Sequence, residues 1–202
     1  MKSFVLLFLI ITFNFSAQTE SDEVIVDSDL TFEESVSGIT IPESIRNNLI
    51  LIDVQYYSFD NKLHKGQLLV HKSVEKDLRE IFEIIRETKF PIHKAVPIVK
   101  YGWNDEASML SNNTSCFNYR KVKGMKTLSY HSKGLAIDIN PMQNPHIKNN
   151  KSLPEGAIYD KSIPGTLTDS SIIVKEFKKR GWIWGGSWRS SKDYQHFEKR
   201  TN

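Results

Sequence analysis

Apolar and polar positions are patterned most clearly in the first half of the chain. Leu49-Ile50-Leu51-Ile52-Asp53-Val54-Gln55-Tyr56-Tyr57 is rich in β-branched and aromatic residues, which suits a strand. Asp60-Asn61-Lys62 supplies a turn signal, and Gly66 through His71 reads as a second strand, so the pair predicts a hairpin. After His71 the period changes. Val74, Leu78, Ile81, Ile84 and Ile85 recur at helical spacing, with Ser73 as the expected N-cap and Pro91 closing a helix that runs to about residue 88. Pro97 to Tyr101 predicts another short strand, and residues 102–120 a polar, irregular stretch. Leu135-Ala136-Ile137-Asp138-Ile139 alternates with period two, which turns Leu135, Ile137 and Ile139 to the core and Ala136 and Asp138 to the opposite face. The prolines and glycines of residues 142–168 predict loop. A last helix is expected to start near Thr168 to Ser170, with Ile172, Ile173 and Phe177 as its buried stripe. Lys175, Lys178, Lys179 and Arg180 crowd its end, where they complement the helix dipole, and Gly181 stops it.

Composition changes this picture mainly at the N-terminus. One lysine precedes an apolar run of about a dozen residues that ends near Ala17 and Gln18. The run is short for a bilayer span. It predicts a signal peptide over residues 1–18, against a retained anchor or a buried helix. The expected destination is export, to the periplasm or beyond, without stable membrane insertion after cleavage. Residues 19–38 are acidic and rich in Ser and Thr, which predicts a flexible linker ahead of one domain over residues 39–202. The chain is 39% hydrophobic and 25% charged, as expected for a globular protein with a core. A net charge of +3 hides the contrast between the acidic stretch and a basic body. That body suits an anionic polymer, or a plain solvated surface. No Lys/Arg block marks a nucleic-acid arm, so no nucleic-acid partner is expected, and oligomeric state is left open. The single cysteine, Cys116, allows no disulfide within the chain and reads as a small buried residue.

Two of the six histidines carry chemical context. His131 has Asp138 seven residues downstream, and His196 has Asp193 three residues upstream. Asp138 is a lone carboxylate among apolar neighbours and needs a cationic or hydrogen-bonding partner. A metal ion is one such partner; an arginine or a polar network is another. Gly134 allows the backbone to turn between His131 and the strand. His131, Asp138 and His196 together give three N/O ligands and leave one tetrahedral position open, the arrangement of a catalytic zinc site. Zinc polarises a carbonyl and acidifies water, and a nearby carboxylate must then move the proton; Asp193 is the candidate base.

Ser129-Tyr130-His131-Ser132-Lys133-Gly134-Leu135-Ala136-Ile137-Asp138 resembles the Ser-x-His-x-x-Gly-x-Ala-x-Asp motif of the D-alanyl-D-alanine carboxypeptidase family. That family includes VanX- and VanY-type enzymes and the L-alanyl-D-glutamate endopeptidases of phage endolysins. Asp193-Tyr194-Gln195-His196-Phe197 resembles its acid-x-x-His motif, and Trp182 to Trp188 is similar to the endopeptidase branch. The resemblance spans about residues 97–200. It implies a zinc peptidase domain over residues 39–202, with one Zn2+ per chain on His131, Asp138 and His196, and with Asp193 as general base. Arg120 matches an arginine that supports the substrate carbonyl, although Asn118 stands where family members often have Gly. Ser129, Trp184 and Trp188 are the expected substrate contacts, or else loop and core residues. The implied fold is α+β, a small antiparallel sheet with flanking helices like those of hedgehog and DD-peptidase domains. The implied substrates are peptidoglycan stem peptides, cut at L-Ala-D-Glu or at D-Ala-D-Ala. The alternative is a catalytically inactive zinc-containing module that binds cell wall.

Overall fold

A computed structural model of the chain describes residues 23–122 and 124–200. The predicted signal peptide, and the start of the predicted linker, lie outside these residues. The described chain opens with a short strand β1 (Ile25–Val26) and two single-turn helices, α1 (Phe32–Ser35) and α2 (Glu43–Arg46). The hairpin follows as β2 (Leu49–Tyr57) and β3 (Leu63–His71), paired in register from Leu49 opposite His71 to Tyr57 opposite Leu63. Next come α3 (Glu75–Glu87), β4 (Lys94–Ala95), α4 (Asp105–Leu110) and β5 (Asn113–Thr114). The C-terminal half contributes β6 (Ala136–Asp138), β7 (His146–Lys148), β8 (Lys151–Leu153), α5 (Ile172–Lys179), β9 (Ile183–Trp184), β10 (Lys192–Asp193) and β11 (His196–Glu198).

These elements form an α+β arrangement of small sheets with few, mostly short helices. The sheets run in the orders β1-β3-β2, β6-β11-β9, β10-β7-β8 and β4-β5. The apolar pattern explains how they pack. Val74, Leu78, Ile81, Phe82 and Ile85 line one side of α3 and the turn before it, against Ile52, Val54, Leu68 and Val70 of the hairpin. The same cluster continues through Leu135, Ile137 and Ile139 to Ile173, Val174, Phe177, Trp184 and Phe197. One core therefore joins the N-terminal hairpin to the sheet β6-β11-β9. The α5 helix ends as expected at Gly181, whose φ of 79° is left-handed. The Gly181 N–H donates to the Lys178 carbonyl and the Trp182 N–H to the Phe177 carbonyl, the paired bonds of a Schellman stop.

Several expectations are corrected. Residues 23–38 are not a free linker. β1 pairs with β3 in parallel, and Thr31 caps α1 in a reciprocal box with Glu34. The Ser28 hydroxyl and the Leu30 N–H donate to Gln67, and Val36 is buried with Leu49, Leu69 and Phe117. The acidic composition conceals a few apolar anchors that cover the outer face of the hairpin. Pro97 to Tyr101 is not a strand: Ile98–Tyr101 forms a 3-10 turn closed by left-handed Gly102. Residues 102–120 are polar yet hold α4 and β5, and Asn113, Thr114, Cys116 and Asn118 are buried with their polar atoms used internally. The loop of residues 142–168 contains the hairpin β7–β8. His71, not Ser73, caps the turn that leads into α3. On α5, Val174 replaces Ile172 in the buried stripe; Ile172 is exposed at the first turn.

Candidate metal centre

Two strands and one turn build the site. On the central sheet, β11 pairs antiparallel with β6 so that His196 stands directly opposite Asp138. Asp138 is also locked from its other side, because its backbone exchanges both hydrogen bonds with Ser115. His131 lies on the 3-10 turn Tyr130–Lys133. The Ser129 hydroxyl accepts from the His131 N–H at the start of this turn, and Gly134 ends it with a φ of 68°. A Cβ at residue 134 would stand 2.6 Å from the His71 backbone nitrogen, so glycine meets both the dihedral and the contact. That contact ties the turn to the hairpin: the His71 N–H donates to the Gly134 carbonyl at 3.0 Å.

The three side chains converge. His131 Nε2 lies 3.2 Å from His196 Nδ1 and 3.3 Å from Asp138 Oδ2; His196 Nδ1 lies 3.0 Å from Asp138 Oδ1. All three residues are buried, and one ligand atom from each falls within 4.8 Å of the others. The far side of each ring fixes its proton. His131 Nδ1 is 2.6 Å from the Cys116 carbonyl, which can only accept, so that nitrogen donates. His196 Nε2 faces Glu198 Oε2 at 3.4 Å. In neutral rings this leaves two lone pairs and a carboxylate turned toward one point, which a divalent cation satisfies. The donor set of two imidazole nitrogens and one carboxylate fits zinc.

The electrostatics agree. Burial opposes ionisation of Asp138, but the two imidazoles hold its carboxyl far below the usual range. Burial also opposes charge on His196, yet Asp138 and Glu198 outweigh it and raise its pKa to about 10. Asp193 behaves differently. Burial pushes its carboxyl above the usual value, and the Asp138 charge adds to this while His196 and His146 pull the other way.

Asp193 sits on β10 opposite His146 on β7, with Oδ2 3.9 Å from His146 Nδ1. Its Oδ1 and the His146 Nε2 are buried and carry no hydrogen bond. The Asp193 backbone packs so closely on Gly185 that a Cβ there would stand 2.5 Å from the Asp193 carbonyl oxygen. The Arg120 carbonyl accepts from the Ser129 N–H, and its own N–H donates to Ser132, so it lies beside the His131 turn. Its guanidinium pairs with Asp105 at 3.0 Å and leaves Nε buried and free of partners. The Trp188 ring is half-buried with its centroid 5.5 Å from the His196 ring. Two of the expected substrate contacts have partners of their own within the fold. Trp184 is a core residue, 1% exposed, stacked on Phe197 with its indole N–H donating to the Tyr194 carbonyl. Ser129 caps the His131 turn, and its buried hydroxyl is used there. Glu198 and His146 were not singled out from sequence. Glu198 could have been found by reading His196-Phe197-Glu198 with period two; His146 carries no spacing signal and reaches Asp193 only through strand pairing.

Residues 123–199 match the family model described as D-alanyl-D-alanine carboxypeptidase. That stretch is similar to the family. The match covers less than half of the chain, includes His131, Asp138, Asp193 and His196, and begins just after Arg120. No curated protein and no solved structure matches the chain. No helix among the described residues is long and apolar enough to cross a membrane.

Proposed function

We propose that this protein is an exported zinc peptidase that hydrolyses amide bonds in peptidoglycan stem peptides, within a hedgehog/DD-peptidase-like arrangement. One observation carries the reading: His131 Nε2, His196 Nδ1 and the Asp138 carboxylate face one point, while the other ring nitrogens face the Cys116 carbonyl and Glu198. His131, Asp138 and His196 would hold one Zn2+, which supplies Lewis acidity for polarising a carbonyl and acidifying water. Asp193 Oδ1, buried beside the site with no partner, takes a proton from the attacking water and returns it to the leaving nitrogen. Its raised pKa suits a group that must both accept and release that proton. Arg120 Nε, equally without a partner, is the donor available to a substrate carbonyl oxygen. Trp188 flanks His196 and offers a flat apolar wall to the peptide. The signal-like N-terminus and the basic body fit export, to the periplasm or outside, and an anionic wall.

The test is digestion of purified muropeptides by the zinc-loaded chain, read by mass spectrometry with and without chelator. A new amino terminus at D-Glu identifies an L-Ala-D-Glu endopeptidase, and loss of terminal D-Ala a carboxypeptidase. Zinc bound at one per chain with every stem peptide left intact would reject the enzyme in favour of a binding module.

A further inference from the structure

The geometry points to a fourth side chain that shapes the metal site without touching the metal: we propose that Glu198 is a positioning residue that fixes the tautomer and orientation of His196. The inference rests on the zinc reading above. His196 and Glu198 are two residues apart on β11 and so share one face of the strand. Across the ladder, Asp138 stands opposite His196, and Ala136 stands opposite Glu198. The alanine methyl leaves room for the longer carboxylate to lean along its own strand toward His196. Glu198 Oε2 reaches His196 Nε2 at 3.4 Å, and its other oxygen is held by Arg200 Nε and Nη2 at 3.3 and 3.2 Å. Phe197, between them, points the other way into the core.

A carboxylate is costly to bury unless partners repay its lost hydration. Glu198 is 7% exposed, and its partners are one mainly exposed arginine and the back of one metal-site histidine. An imidazole has one proton to place between two nitrogens when neutral. A carboxylate behind Nε2 holds that proton there and leaves the Nδ1 lone pair for the metal, and it makes the ring a stronger donor. The corresponding partner of His131 is the backbone carbonyl of Cys116, so the two histidines are set by different means, one from main chain and one from a side chain.

The experiment compares the full chain with Glu198→Ala and Glu198→Gln. Zinc affinity is read by competition with a chromophoric chelator, and Co2+ absorption spectra report the ligand field. Folding of each metal-free protein is followed by circular dichroism. Glu198→Ala is expected to weaken zinc binding about 10- to 100-fold and to shift the cobalt bands. Glu198→Gln keeps an oxygen that can accept from Nε2–H but loses the charge, so it should fall between the two. A role confined to packing would lower stability while leaving affinity and cobalt spectrum as in the unaltered chain. A folded Glu198→Ala protein that binds zinc within twofold of the unaltered chain overturns the inference. Should that variant not fold, a folded Glu198→Gln with unchanged affinity and spectrum does the same. If the unaltered chain takes up no zinc, the metal reading itself fails and the inference falls with it; an effect on neither variant in a zinc-binding chain sinks the inference alone.

Discussion

At the scale of residues, the chemistry depends on which nitrogen of each ring is free. Cys116 and Glu198 face the outer nitrogens of His131 and His196, so the inner ones meet Asp138. Removing either imbalances the group: His131→Ala or His196→Ala leaves one imidazole and a buried carboxylate. Each variant is expected to lose stoichiometric zinc and all turnover, checked by elemental metal analysis of the purified protein. Normal metal content in either would remove that residue as a ligand. Asp193 makes no hydrogen bond to the three and should separate from them experimentally. Asp193→Ala is expected to keep zinc at one per chain while muropeptide turnover falls roughly 10²- to 10⁴-fold, the usual worth of a positioned proton-transfer group. Turnover near that of the unaltered chain would leave the proton to another group, of which His146 is the nearest by strand pairing.

At the scale of elements, the site is a strand pair plus a turn, and legibility in sequence follows from how local each is. The hairpin, α3, and the Leu135–Ile139 alternation were readable because each repeats with its own apolar period, although the Leu135–Ile139 strand is buried on both faces. The approach of His131 to Asp138 was readable because Gly134 and Asp138 sit at short, fixed offsets from His131. What was not readable depends on distant partners. β7 and β10 are strands of three and two residues that exist only by pairing, and that pairing brings His146 to Asp193. The arm of residues 23–38 looked disordered because its composition is acidic, although Phe32 and Val36 seat on an apolar face supplied by the hairpin. Ile172 reads as core by its apolarity, yet the buried stripe runs through Ile173, Val174 and Phe177 and leaves it exposed at the first turn. The turn carrying His131 yields a test of its own. Gly134→Ala places a β-carbon in left-handed backbone, at roughly 1–2 kcal/mol, and against the His71 nitrogen besides. The melting temperature should drop by several degrees, and zinc content with it, because the same turn presents the first ligand. An unchanged thermal transition would mean that the turn can be rebuilt without glycine.

At the scale of the whole molecule, the family-matched stretch of residues 123–199 does not enclose its own core. Ile137 and Phe197 of the sheet β6-β11-β9 belong to the same apolar cluster as Ile81 and Leu78 on α3, which lies outside that stretch. A helix far from Asp138 and His196 in sequence therefore holds the sheet that carries both. Ile81 is fully buried, and Ile81→Ala should cost about 2–5 kcal/mol through lost burial and the cavity left behind. Against a total of about 5–15 kcal/mol for a typical domain, that is a large share. The loss should appear everywhere at once. Far-ultraviolet circular dichroism, which follows the helices, and tryptophan fluorescence of a Trp103→Phe background, which leaves Trp182, Trp184 and Trp188 around the site, are expected to report one urea transition with one lowered midpoint. Zinc should raise that midpoint for both probes, because it binds only the folded chain. Two separated transitions, with the tryptophan signal unmoved by Ile81→Ala, would mean that the hairpin and helix are a separate unit and that residues 123–199 stand without them.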